Sequence, residues 1–152
     1  MVNPDYRDLL SGLNDAEARY LVIGAHAVTF YTSPRYTKDI DLWVDAVPDN
    51  LEKVSRALAA FGAPVEAQTV LSLAGEDAVL QIGVEPSRID LLSRVPPLEF
   101  DSAWQRRVET TYGEVPIHVL SLDDLIAAKE AAGRPQDLLD VERLMSARRR
   151  AT

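Results

Sequence analysis

The period of hydrophobic and polar positions changes repeatedly along the chain, and each change marks out an element. Between Asn3 and Arg19, Leu9, Leu10 and Leu13 are spaced for one face, which predicts one or two turns of amphipathic helix. Tyr20 to Ile23 is a continuous apolar run ending at Gly24, the pattern of a buried strand. Ala25 to Tyr31 predicts a short helix, stopped before Ser33-Pro34. From Thr37 to Asp45 the period becomes two: Asp39, Asp41, Trp43 and Asp45 alternate with Ile40, Leu42 and Val44, as in a strand with one core face. Pro48-Asp49-Asn50 then opens a helix in which Leu51, Val54, Leu58 and Phe61 repeat at helical spacing before Gly62.

Ala63 to Leu73 carries no decisive period and fits either a helical turn or a short strand. Ala78 to Val84 and Arg88 to Ser93 read as strands joined by a hairpin at Glu85-Pro86-Ser87. Leu98 to Arg106 reads as helix, and Val108–Tyr112 with Val115–Val119 as a second hairpin around Gly113-Glu114. Ser121-Leu122-Asp123-Asp124 is a capping box with Asp in the place of the usual Glu, opening a helix that runs to Ala132 and stops at Gly133. Pro135 suits the first turn of a last helix carrying Leu138, Leu139, Val141, Leu144 and Met145. Two helices across so short a link form an antiparallel or angled pair, here residues 121–150. The sum is an α/β (α+β) fold: a mixed twisted β-sheet with flanking helices, ending in a helix pair. One domain over residues 1–152 is the expected organisation, since the chain is long enough for its own core and has no repeat or linker.

Composition narrows the function more than the fold. No apolar run approaches the roughly 20 residues that span a bilayer, and MVNPDYRDLL lacks a signal-peptide layout, so no membrane association and a cytoplasmic location are expected. The absence of cysteine excludes disulfides and thiolate metal sites. A formal net charge of −8 argues against broad nucleic-acid binding, which needs a basic footprint. It does not exclude action on one end of an RNA or on a protein. The basic cluster Arg148-Arg149-Arg150 reads as a solvated helix end or a polyanion contact.

The candidate chemistry lies between Tyr20 and Val44. Asp39 and Asp41 share a strand face about 6–7 Å apart. Aspartate is depleted in strands and like charges on one face repel, so a pair retained there calls for a cation between them. Gly24 stands where a strand gives way to a helix, where the backbone can approach a ligand closely and free N–H groups can hold a phosphate. Asp90, flanked by the core residues Ile89 and Leu91, offers a third carboxylate from another strand. Such a set is a site for hard divalent cations, Mg²⁺ (or Mn²⁺) with oxygen ligands, and two ions would stabilise the attacking and leaving oxygens of a displacement at phosphorus. Asp39 and Asp41 are the metal ligands in that reading. Asp90 holds an ion or takes the proton of the acceptor hydroxyl. The alternative is that Asp39, Asp41, Trp43 and Asp45 form the polar face of an edge strand.

In order and spacing, Gly24-Ala25, Asp39-Ile40-Asp41 and Asp90 resemble the Gly-Gly/Ser … Asp-x-Asp … Asp pattern of the DNA polymerase beta-like nucleotidyltransferase superfamily. The likeness is strongest to small bacterial members, including abortive-infection-type toxin nucleotidyltransferases. Arg35-Tyr36-Thr37-Lys38 before Asp39 is similar to their Arg-x-Thr-x-Asp-x-Asp run. The stretch from Ser121 to Lys129, with Arg134-Pro135-Gln136-Asp137, is similar to their C-terminal helical signature. The resemblance extends from about Tyr20 to Leu144. It implies a nucleotidyltransferase-like fold and a nucleoside triphosphate (NTP) substrate, with an RNA end or a protein as acceptor and an antitoxin as possible partner. Ala25 departs from the pattern: a serine hydroxyl contact to phosphate is lost there, while the backbone N–H groups survive.

Around this core, Gly24, Ala25, Arg35, Lys38, Lys129 and Arg134 are the candidate nucleotide-binding residues. Lys129 shares a helical stripe with Leu122, Leu125 and Ile126, so it either snorkels to water or reaches an anion. Arg134 is a site residue or the local ion-pair partner of Asp137. Arg35 and Lys38 either contact triphosphate or balance the acidic strand. His26 reads as structural before it reads as a substrate contact, and Trp43 as a packing residue before a base-stacking one. Three readings therefore stand: a metal-dependent nucleotidyltransferase, a non-catalytic nucleotide- or partner-binding module on the same fold, and a phosphohydrolase using the same carboxylates.

Overall fold

A computed structural model describes residues 2–33, 39–84 and 87–151. Arg35 and Lys38, and the Glu85-Pro86 turn, lie outside the described residues. The elements run α1 (Pro4–Asp15), β1 (Tyr20–Ile23), α2 (Gly24–Tyr31), β2 (Asp39–Val44), α3 (Pro48–Phe61), α4 (Ala67–Leu71), β3 (Val79–Ile82), β4 (Arg88–Leu92), α5 (Phe100–Gln105), β5 (Val108–Tyr112), β6 (Val115–Val119), α6 (Leu122–Ala132) and α7 (Pro135–Ala151).

The six strands form one mixed sheet in the order β3-β4-β2-β1-β6-β5. β1 pairs antiparallel with β2 and parallel with β6, while β2 runs parallel to β4. Both expected hairpin pairings, β3 with β4 and β5 with β6, are antiparallel. β2 lies inside the sheet, so the edge-strand alternative for its aspartates is overturned. Trp43, at the far end of β2, is buried; its indole N–H donates to the Ser93 carbonyl at 3.3 Å and its ring meets Phe100 edge-on. Alternation puts Trp43 on the aspartate face, but Phe100 covers that end of it.

Local chemistry accounts for the helices. The Asn3 side chain caps α1 by accepting from the Asp5 and Tyr6 N–H groups, and Pro4 occupies the first turn, where a missing N–H costs nothing. α3 begins at Pro48 and ends at Gly62, whose φ of +91° is the left-handed conformation that closes a helix. Its Leu51, Val54 and Leu58 are fully buried, each contributing about 1.5–3 kcal/mol of hydrophobic stabilisation. The undetermined stretch after Gly62 contains a short helix, α4. At α6 the Ser121 hydroxyl accepts from the Asp124 N–H at 3.2 Å, which is half of a capping box. The other half is missing because the Asp124 carboxylate turns to Arg106, held through Nε at 2.9 Å and Nη2 at 3.0 Å. α6 and α7 pack on each other and both contact α2, which places the terminal helix pair beside the β1–α2 turn. No helix among the described residues is long and apolar enough to cross a membrane.

Candidate active site

The register of the sheet assembles the three carboxylates. Asp41 lies opposite Asp90 across the parallel β2–β4 pair, and Asp39 lies opposite Arg88. Ile40, Leu42, Ile89 and Leu91 are all buried, with the aspartates alternating between them. As a result one carboxylate oxygen from each of Asp39, Asp41 and Asp90 falls within 4.8 Å of the others.

Gly24 fits against this group for two reasons. Its φ is +67°, which costs glycine little, and a Cβ there would collide with the Asp41 carboxylate, lying only 3.0 Å from its Cγ. The glycine expected to bring backbone near a ligand therefore also makes room for Asp41. Gly24 opens α2, and no side chain caps the N–H groups of its first turn. Ala25 is in that turn. Uncapped N–H groups at a helix start, beside carboxylates able to hold a cation, are suited to a phosphate.

A cleft of about 950 Å³ connects this strand end to the helix pair. Gly24, Ala25, Asp39 and Asp41 line one side, and Lys129 and Arg134 line the other. Six of the candidates thus share one cleft, with Asp90 adjoining it through Asp41. The position of Arg35 and Lys38 falls outside the described residues. Across the cleft, Lys129 Nζ reaches Asp137 at 3.3 Å and Asp140 at 3.2 Å, and both carboxylates are 1% exposed. Arg134 holds Asp137 through Nε at 2.6 Å, the local ion pair expected there. Lys129 therefore reaches anions on its own chain. Asp140 and the exposed Arg94, also lining the cleft, had no signal in the sequence; each depends on how distant elements meet.

The two sides differ in charge balance. Burial, followed by the neighbouring charges of Asp39 and Asp90, raises the Asp41 pKa to about 7, with Lys129 opposing. The hydrogen bond from Arg134 holds the Asp137 carboxyl below its ordinary range against the effect of burial, with Lys129 adding to it. His26 is half-buried beside Tyr6 and Tyr112, and burial lowers its pKa, which fits the structural reading.

A family model described as a nucleotidyltransferase of unknown function (DUF6036) matches residues 4–147. The chain belongs to that family. No curated protein matches it by sequence. Among solved structures, this nucleotidyltransferase-family chain is similar to the lincosamide antibiotic adenylyltransferase LnuA with lincomycin bound. The TM-score is 0.64 at 19% identity, covering 96% of this chain and 98% of that one. It is also similar to ANT(2")-Ia in complex with adenylyl-2"-tobramycin, with TM-score 0.58, 15% identity and coverage of 91% and 84%. An antigenic nucleotidyltransferase-like protein from Paracoccidioides brasiliensis gives 0.59, 11%, 96% and 77%. At these identities the likeness establishes the fold alone, the one these nucleotidyltransferases share.

The residues present fit a divalent cation. All three side chains offer hard oxygen donors, and among the described residues Asp90 Oδ1 is buried with no hydrogen-bond partner. A buried carboxylate oxygen left without a donor is costly, and an ion at this position would satisfy it.

Proposed function

We propose that this chain is a Mg²⁺-dependent nucleotidyltransferase. It moves a nucleoside monophosphate from an NTP to an acceptor hydroxyl and releases pyrophosphate. The observation that carries the reading is the convergence of Asp39, Asp41 and Asp90 beside the uncapped start of α2, facing Lys129 across one cleft. The bond formed joins the acceptor oxygen to the α-phosphorus; the bond broken joins that phosphorus to the oxygen bridging to the β-phosphate. Asp39, Asp41 and Asp90 would hold Mg²⁺ (or Mn²⁺), with two ions as in the sequence-based reading. When bound, these ions neutralise charge on the attacking and leaving oxygens.

The protein's own groups position and exclude. N–H groups of Gly24 and Ala25 hold phosphate oxygens, while Arg134 and Lys129, held by Asp137 and Asp140, are the proposed nucleotide contacts on the opposite side. Asp90, whose Oδ1 has no donor among the described residues, would take the acceptor proton or bind an ion. Arg35 and Lys38 remain proposed phosphate contacts on the basis of sequence. The unit proposed is one domain, residues 1–152, acting in the cytoplasm.

The resemblance to toxin members supports an RNA end or a protein side chain as acceptor, with an antitoxin as partner. The antibiotic complexes of LnuA and ANT(2")-Ia add small hydroxylated molecules as a third acceptor class. Ala25 favours one rival, a module that binds nucleotide without turnover.

One assay separates these readings. Each radiolabelled triphosphate is incubated with the protein, Mg²⁺ or Mn²⁺, and cell extract or a panel of small hydroxylated molecules. The incubation is repeated with Asp39→Ala/Asp41→Ala. Transfer should fall by at least about 10³-fold in the variant. Tight nucleotide binding without turnover would support the module, and free phosphate alone would support hydrolysis. A protein that binds neither nucleotide nor metal would overturn the proposal.

A further inference from the structure

Two arginine–carboxylate contacts in this molecule differ in a way that points to function. Arg106 meets Asp124 with two parallel N–H groups, at 2.9 and 3.0 Å, the fork-on-fork geometry of a finished structural pair. Arg88 instead touches Asp39 at 2.7 Å and Asp90 at 3.2 Å with the same atom, Nη2. Among the described residues its Nε is buried with no partner, and so is Asp90 Oδ1. The guanidinium thus places one positive nitrogen between two carboxylates of the candidate metal site while leaving a donor and an acceptor unsatisfied. That is poor use of an arginine, whose advantage lies in its fork.

The main chain beneath it is firmly held. The Tyr6 hydroxyl donates to the Arg88 carbonyl at 2.9 Å, and the Asn3 amide donates to the Ser87 hydroxyl at 3.2 Å. A long side chain on a fixed backbone, about one-third exposed, can leave without disturbing β4.

We propose that Arg88 is a resident counter-cation of the metal site: its guanidinium bridges Asp39 and Asp90 in the metal-free protein and withdraws from at least one of them when a divalent ion enters. The inference rests on the metal-binding reading above and adds a residue that competes with the ion. Removing the competing charge should strengthen metal binding, whereas a residue that merely positions the ligands would weaken binding when removed.

The test uses Mn²⁺ alone, followed by the loss of its free-ion paramagnetic resonance signal, with no nucleotide present. Arg88→Met should bind Mn²⁺ roughly three- to tenfold tighter than the parent chain, as expected for loss of two partly exposed charge contacts. Arg88→Lys retains a cation with a single point of contact and should fall between the two. Affinity unchanged or weakened in a folded variant overturns the inference while leaving the metal site standing. If neither parent nor variant binds Mn²⁺, the metal-binding reading fails and this inference with it. A readout on the parent chain covers the case in which Arg88→Met does not fold: the Arg88 Nε resonance should move on addition of Mg²⁺, and a resonance that stays fixed at saturation overturns the inference.

Discussion

The two sides of the cleft both bury aspartates, but they treat them differently. On the helix side, Asp137 and Asp140 are almost fully buried and their charge is answered by Lys129 and Arg134. On the strand side, among the described residues, three carboxylates share one bridging guanidinium nitrogen, one buried oxygen lacks a donor, and the pKa of one member is pushed up to about 7. The helix side is electrostatically complete within the chain. Among the described residues the strand side is left short of positive charge. Buried acidity alone therefore does not distinguish the two sides; the balance of counter-charge does.

The largest expected effect comes from closing the strand side sterically. Gly24→Ala forces a β-carbon into a left-handed position and against Asp41. Strain and overpacking together should cost roughly 4 kcal/mol, read from urea unfolding, with loss of metal binding. A variant as stable as the parent would mean that the turn and Asp41 can move apart.

Next in size is a direct contrast between the sides. Asp137→Ala removes the shared partner of Lys129 and Arg134 and should destabilise the protein by about 3 kcal/mol. Asp41→Asn relieves repulsion and should leave the metal-free protein at least as stable as the parent. Equal losses in the two variants would erase the distinction.

The smallest effect, and the most specific, is in pH. Asp41 retains its proton in the folded chain up to about pH 7, against an ordinary value of 3.8. Its contribution to stability is therefore fully present below 3.8 and is lost as pH rises through about 7. In metal-free protein this should amount to roughly 2 kcal/mol after allowing for solvent screening, and Asp41→Asn should abolish it. Asp137, held below the ordinary range, has the opposite sign: its contribution is present above the ordinary carboxylate pKa and disappears on acidification. Melting temperature against pH, with and without Mg²⁺, separates the two, and Mg²⁺ should flatten only the Asp41 limb.

Much of this was legible in the sequence because local chemistry punctuates it. β1 stops at Gly24, β5 and β6 flank Gly113, and α3 stops at Gly62, so their extents follow from short patterns. The aspartate triad was legible because alternation fixes a face. What the pattern could not supply was anything set across elements. Arg88 is adjacent to Asp39 only through the β2–β4 register, and Lys129 finds Asp140 only once α7 has docked. Trp43 obeyed the alternation and is a packing residue, as its sequence reading favoured, but that α5 is what covers its end of the strand had no local signal.

The in-register meeting of Asp41 and Asp90 has a consequence for how the chain folds. A slip of one residue between β2 and β4 would turn Asp90 toward the side now occupied by Ile89 and Leu91 and place a carboxylate in apolar surroundings, at a cost of several kcal/mol. The same side chains that equip the sheet for chemistry therefore also act as its proofreaders, penalising the pairing error to which a parallel pair of short apolar strands is most exposed.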